Sequence, residues 1–168
     1  MFSRREILLG GAAAIAFVGA TRVLNHGYFA MASETPENFE VTHSDAEWRA
    51  MLTPEQYAVL RQEGTERPYS SVLNHEKRTG TFACAGCNLP LFSSQTKFDS
   101  HTGWPSFWQP LERAVDTRQD RTFGMTRTEV HCHRCGGHLG HVFDDGPKPT
   151  GLRYCMNGVA MSFAPAAA

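Results

Sequence analysis

Residues 129–147 read EVHCHRCGGHLGHVFDDGP, and the punctuation of that stretch decides the fold. An apolar run ends at Cys132, the pair Cys132-His-Arg-Cys135 leads into a turn, and a second short run begins at Leu139. Such spacing is too short for a helical crossover, so the flanking runs are expected to pair as antiparallel strands. Cys84-Ala-Gly-Cys87 closes the run GTFACA in the same way. A CxxC knuckle aims two sulfurs at one point, and two knuckles complete a tetrahedral four-sulfur site for Zn²⁺. The 44 residues between the pairs exceed the spacing of a simple zinc ribbon, so the metal would join distant parts of one domain. A closed site of this kind leaves no position for water or substrate, and its role is structural. Pairing of Cys84, Cys87, Cys132 and Cys135 as disulfides is the alternative in an oxidising compartment, and His131 or His133 could replace one sulfur.

Working outward, the runs LPLFSS, TFGMTRTEVHC, LGHVFDD and LRYCMNGVAMSF are separated by Gly, Pro, Asn and Asp and read as further strands. A mainly β domain of two or three small antiparallel sheets is expected. Upstream, Ser44 caps a short helix through DAEWRAML. Thr53-Pro54-Glu55-Gln56 then opens a second helix that runs to about Glu63 and stops at Gly64. Leu52, Tyr57, Val59 and Leu60 cannot bury themselves on so short a helix and should pack on the β body.

The first 20 residues, MFSRREILLGGAAAIAFVGA, place Arg4 and Arg5 ahead of an apolar run. Ser3-Arg4-Arg5 followed by Ile7-Leu8-Leu9 resembles the twin-arginine export signal, with cleavage expected after Ala32 in preference to Ala20. The run is too short, and too rich in Gly and Ala, to span a membrane. The expected organisation is a signal over 1–32, a linker over 33–43 and a domain over 44–168, exported to a bacterial periplasm and monomeric. The formal charge of −1 comes from interleaved acids and bases, which disfavours nucleic acid as a partner.

The chain has five cysteines, so Cys155 is left over. If LRYCMNGV is a strand, Arg153, Cys155 and Asn157 share one face. A buried structural thiol is the ordinary fate of a lone cysteine. Arg and Asn at i−2 and i+2 suit a nucleophile better: Arg lowers the thiol pKa, and Asn holds a polar substrate atom. His138 and His141 bring proton donors nearby. Trp104, Phe107 and Trp108 around Pro105 offer a rigid wall for a small apolar group, with Trp108 fitting a lid over the core better.

Together CAGC, KFDSHTGWPSFW, EVHCHRCGGHLGHVFDDGPKPTGLRYCMN and the terminal SF.P resemble methionine sulfoxide reductase B, the family that reduces the R epimer of methionine sulfoxide. The resemblance runs from about Ser44 to Pro165. It implies a zinc-stapled antiparallel β-domain with N-terminal helices, Cys155 as nucleophile, and Cys84, Cys87, Cys132 and Cys135 as zinc ligands. It also implies Trp104 as the receptor for the S-methyl group, His141 and Asn157 as the groups that hold and protonate the sulfoxide oxygen, and His138 and Arg153 in support. Two departures matter. Thr102 stands where many members have a resolving cysteine, so regeneration is expected to need an external thiol, either a thioredoxin-like protein or a small reductant. His101 replaces a residue that is usually Gly. The competing readings are a zinc-binding interaction module with an inert Cys155, and a thiol peroxidase, against which Trp104 argues.

Overall fold

The computed structural model describes residues 38–167. The expected signal over 1–32 and the first part of the expected linker lie outside them. Two short helices come first, α1 (Asp45–Met51) and α2 (Pro54–Gln62), each opened by a reciprocal capping box, Ser44 with Glu47 and Thr53 with Gln56. These boxes satisfy amide donors that a helix start leaves without intrahelical partners. α2 ends at Gln62, one residue before the expected Glu63, because Glu63 itself adopts the left-handed conformation (φ 56°). Its apolar face, Tyr57, Val59 and Leu60, is buried against the β body. Burial of Val59 and Leu60 stabilises by about 2 kcal/mol each.

Among the described residues nine strands follow: β1 (Gly80–Cys84), β2 (Pro90–Ser93), β3 (Lys97–Phe98), β4 (Ser106–Phe107), β5 (Val115–Asp120), β6 (Arg127–Cys132), β7 (His138–Phe143), β8 (Arg153–Met156) and β9 (Met161–Pro165). They form two antiparallel sheets, one ordered β2-β1-β9 and one ordered β3-β4-β8-β7-β6-β5. The fold is therefore mainly β, with two sheets and short N-terminal helices. The sheets meet through aromatic packing. Phe107 of β4 stacks on Phe92 of β2 at 4.3 Å and meets Phe82 of β1 edge-on at 4.9 Å, all three fully buried.

Residues 38–43 carry no helix or strand, yet they lie on the domain. Phe39 sets its ring against His131, and the Val41 amide donates to the Arg134 carbonyl at 3.0 Å. No helix among the described residues is long and apolar enough to cross a membrane.

Candidate active site

β8 lies between β4 and β7, and its register places Cys155 opposite Ser106 on one side and His141 on the other. Directly paired residues point to the same face of a sheet, so thiol and imidazole emerge together. β7 can approach this closely because it carries Gly140. A Cβ there would fall 2.1 Å from the Cys155 carbonyl oxygen and 3.0 Å from the Met156 Cα. Cys155 and His141 line a cavity of about 120 Å³ shared with Trp104, Asn157, Phe143 and Arg127. Its scale suits the tip of one side chain. A larger hollow of about 760 Å³ lies behind the Glu66 segment, but it contains neither Cys155 nor His141.

The electrostatics differ from the sequence expectation in one respect. Burial pushes the Cys155 thiol up, with Thr102, the charge of Arg153 and Ser106 drawing it back in part. Arg153 does not depress it outright because its guanidinium forks onto Asp145, with two bonds of 2.8 Å. Burial also lowers His141, partly offset by the hydrogen bond to Asp120 and reinforced by the charges of Arg127 and His138. The Thr122 amide and hydroxyl, together with His141 and Arg127, hold Asp120 far below the ordinary carboxylate range. Asp120 is therefore an anion that only accepts, so the His141 Nε2, 2.8 Å away, carries the proton between them. Nδ1 is left as the imidazole's other nitrogen.

At the opposite end of β7, the four remaining cysteines converge with all four sulfurs within 4.8 Å of one another. Cys84 and Cys135 are 3.7 Å apart and Cys87 and Cys132 are 3.5 Å apart, far beyond a disulfide bond. A tetrahedron with Zn–S bonds of ~2.3 Å has edges of ~3.8 Å, so the set fits a tetrahedral thiolate metal. Neither His131 nor His133 belongs to the cluster. It ties the end of β1 in one sheet to the β6-β7 turn in the other.

Residues 52–165 match the SelR domain family. A peptide methionine sulfoxide reductase MsrB from Leptospira interrogans is 54% identical over 127 residues, covering 75% of this chain and 97% of its own length. One from Pseudomonas putida is 60% identical over 121 residues, covering 71% and 90% respectively. One from Agrobacterium fabrum is 55% identical over 127 residues, covering 75% and 94%. The chain belongs to the MsrB family.

In this MsrB-family chain four of the six expected site residues, Cys155, His141, Trp104 and Asn157, line one cavity, and two stand behind it. Asn157 follows β8 and is buried. Its Nδ2 donates to the Leu139 carbonyl at 3.1 Å, and its Oδ1 accepts from the Glu66 amide at 3.0 Å. Arg153 is turned to Asp145 and lies over the Phe143 ring. His138 is buried away from the thiol, with Nδ1 2.7 Å from Glu129, and lines an adjoining polar hollow beside His141. Burial works to raise the Glu129 carboxyl, but His138, Arg118 and His131 outweigh it and hold the group below the usual range. His101 takes the left-handed conformation (φ 58°), which explains why a glycine suits this position, and its exposed ring turns to Asp99 and away from the Cys155 cavity.

Glu66 is a site residue the sequence reading missed. Its carboxylate accepts from the Gly158 and Val159 amides at 2.7 and 2.9 Å, its own amide holds Asn157, and its carbonyl accepts from the Trp104 indole at 3.2 Å. One residue thus positions both Trp104 and the turn after Cys155. Glu66→Ala leaves two amides without their acceptor and is expected to cost about 1–3 kcal/mol in urea unfolding. Displacement of Trp104 and Asn157 should cut turnover by up to roughly a hundredfold. A variant that loses neither would remove Glu66 from the site.

Proposed function

We propose that this protein reduces the R epimer of methionine sulfoxide, protein-bound and possibly free, with Cys155 as the nucleophile. The observation that carries the reading is the pairing of Cys155 with His141 across β7 and β8, in a cavity walled by Trp104. Trp104 offers a flat apolar face to the S-methyl group, and the second N–H of the Asn157 amide, the one not bound to the Leu139 carbonyl, is assigned to the sulfoxide oxygen. The Cys155 proton moves to the neutral His141 as the sulfur attacks. His141 then delivers it to the oxygen, which gathers negative charge as the S–O bond lengthens. The oxygen passes to Cys155, so the thioether leaves as methionine and the enzyme is left as a sulfenic acid. Two external thiols restore Cys155, releasing water and a disulfide. Thr102 and the arrangement of the other four cysteines support this external route, since no second thiol lies beside Cys155 among the described residues.

Zn²⁺ bound by Cys84, Cys87, Cys132 and Cys135 would supply structural cross-linking and no chemistry. Residues 1–32 are read as a twin-arginine signal that delivers a monomeric enzyme to the periplasm. An Arg4→Lys, Arg5→Lys chain still exported with the original efficiency would remove that part.

Turnover of separated epimers with dithiothreitol tests the activity. Consumption of the R form alone is expected. Equal consumption of both, or of S alone, would overturn the stereochemical assignment. An inert Cys155, as an interaction module requires, would give no turnover of either.

A further inference from the structure

The loop between β3 and β4, together with the first residue of β4, brings three hydroxyls to the side of Cys155 away from His141. Thr102 Oγ1 lies 3.8 Å from the Cys155 sulfur, Ser100 Oγ lies 2.8 Å from Thr102 Oγ1, and Ser106 Oγ lies 2.7 Å from Ser100 Oγ. Ser106 is fully buried opposite Cys155 and donates to the Trp104 carbonyl at 3.3 Å. The loop is held in place around them. The Asp99 carboxylate accepts from the His101 amide at 2.9 Å, and the Gly103 carbonyl accepts from the Tyr69 amide at 2.7 Å.

We propose that Thr102, Ser100 and Ser106 form a hydroxyl chain that stabilises the ionised Cys155, with Thr102 as donor to the sulfur and the two serines as positioning residues. The proposal rests on the assignment of Cys155 as nucleophile and concerns how its thiolate is made available.

Each hydroxyl has a single proton, so the direction at one end of the chain fixes the direction throughout. With Ser106 donating to the Trp104 carbonyl, Ser106 accepts from Ser100, Ser100 accepts from Thr102, and Thr102 accepts from the Cys155 thiol. Loss of the thiol proton reverses every link: Thr102 turns to donate to the sulfur, Ser100 to Thr102 and Ser106 to Ser100. No proton leaves through the chain, because it ends on a backbone carbonyl that has no use for one. The thiol proton departs on the other side, where His141 stands. The chain therefore supplies a hydrogen bond that strengthens with charge, worth more to the thiolate than to the thiol.

Of the charged groups around Cys155, Arg153 on its own strand also favours the thiolate, though burial outweighs it and its guanidinium is shared with Asp145. From β7 comes His141, backed by Asp120 and Arg127. In the loop, Asp99 and His101 are exposed and turned to each other. Glu66 is engaged by the Gly158 and Val159 amides. β4 and the turn into it face the sulfur with hydroxyls only.

The test is the pH dependence of Cys155 alkylation by iodoacetamide, read at that residue by peptide mass spectrometry, on the metal-loaded full chain. Thr102→Val is expected to raise the midpoint by about one pH unit, a tenfold loss of rate well below it. Thr102→Ser should restore the wild-type midpoint. Ser100→Ala should shift it in the same direction by less. It carries the test alone if Thr102→Val fails to bind its metal. A midpoint unmoved by Thr102→Val overturns the proposal. One moved by Thr102→Val and not by Ser100→Ala reduces the chain to a single hydroxyl and overturns it equally. Cys155→Ser turnover keeps the two readings apart. Shifted midpoints with undiminished Cys155→Ser turnover would leave the chain standing and remove Cys155 as the nucleophile, and unmoved midpoints with abolished turnover would do the reverse.

Discussion

Replacing Cys155 with serine is expected to lower methionine sulfoxide turnover by at least about a thousandfold while leaving the melting temperature and bound metal unchanged. The two side chains are close in shape, and Cys155 is only partly buried, so the substitution opens no cavity of consequence. The chemical difference is large. A serine hydroxyl is far harder to ionise than a thiol, and oxygen has no counterpart of the sulfenic acid in which to hold the transferred atom. His141, Trp104 and Asn157 would still bind substrate, so KM should change far less than kcat. A serine variant that retained more than a tenth of wild-type turnover would point to another nucleophile. The same steady-state measurement carries a pH expectation. Burial raises the thiol and lowers His141, so the resting pair is neutral near pH 7 and holds the one proton the sulfoxide oxygen must receive; turnover should hold there and fall at higher pH as Cys155 loses that proton to solvent.

The second large effect is on stability. Keeping the proposed zinc off the four-sulfur cluster, by chelation under mild denaturant or by Cys132→Ser, is expected to abolish cooperative unfolding at physiological temperature. Structural zinc in a four-sulfur site contributes ~10–16 kcal/mol in small domains, comparable to or larger than the ~5–15 kcal/mol of net stability a typical domain possesses. Here the cluster joins β1 of the small sheet to the β6-β7 turn of the large one. Loss of the ion would leave buried sulfurs crowded together at Cys84, Cys132 and Cys135. Calorimetry with metal analysis checks this. An apo chain that melted cooperatively within a few degrees of the loaded one would show that the aromatic packing of Phe82, Phe92 and Phe107 suffices.

The features legible in the sequence were those governed by local rules. Ser44 and Thr53 announce their helices because a capping box needs residues only three apart. The knuckles and the β6-β7 hairpin are local in the same sense. β5, VDTRQD, was missed because it is an edge strand with little buried surface and no apolar alternation to give it away. The start of β6 was placed too early, since Thr122–Gly124 forms a tight turn that lets Asp120 reach Arg127 and His141. Within the candidate site, residue types together with the family resemblance point to Cys155, His141, Trp104 and Asn157, which line one cavity. Glu66 is not visible, because its partners lie 38 and 91 to 93 residues along the chain and nothing local marks it. The direction of the Cys155 shift was not visible either. It depends on how deeply β4 and β7 enclose the sulfur and on the capture of Arg153 by Asp145, both consequences of tertiary packing.

The most direct test of the central assignment is a single turnover without reductant. The reduced, metal-loaded chain is mixed with a peptide carrying the R sulfoxide and quenched with a cyclic dione that traps sulfenic acids. The expected result is about one equivalent of reduced peptide per chain and the dione adduct on Cys155, with no disulfide formed. Reduced peptide without an adduct at Cys155, or a disulfide linking Cys155 to one of the four clustered cysteines, would contradict it.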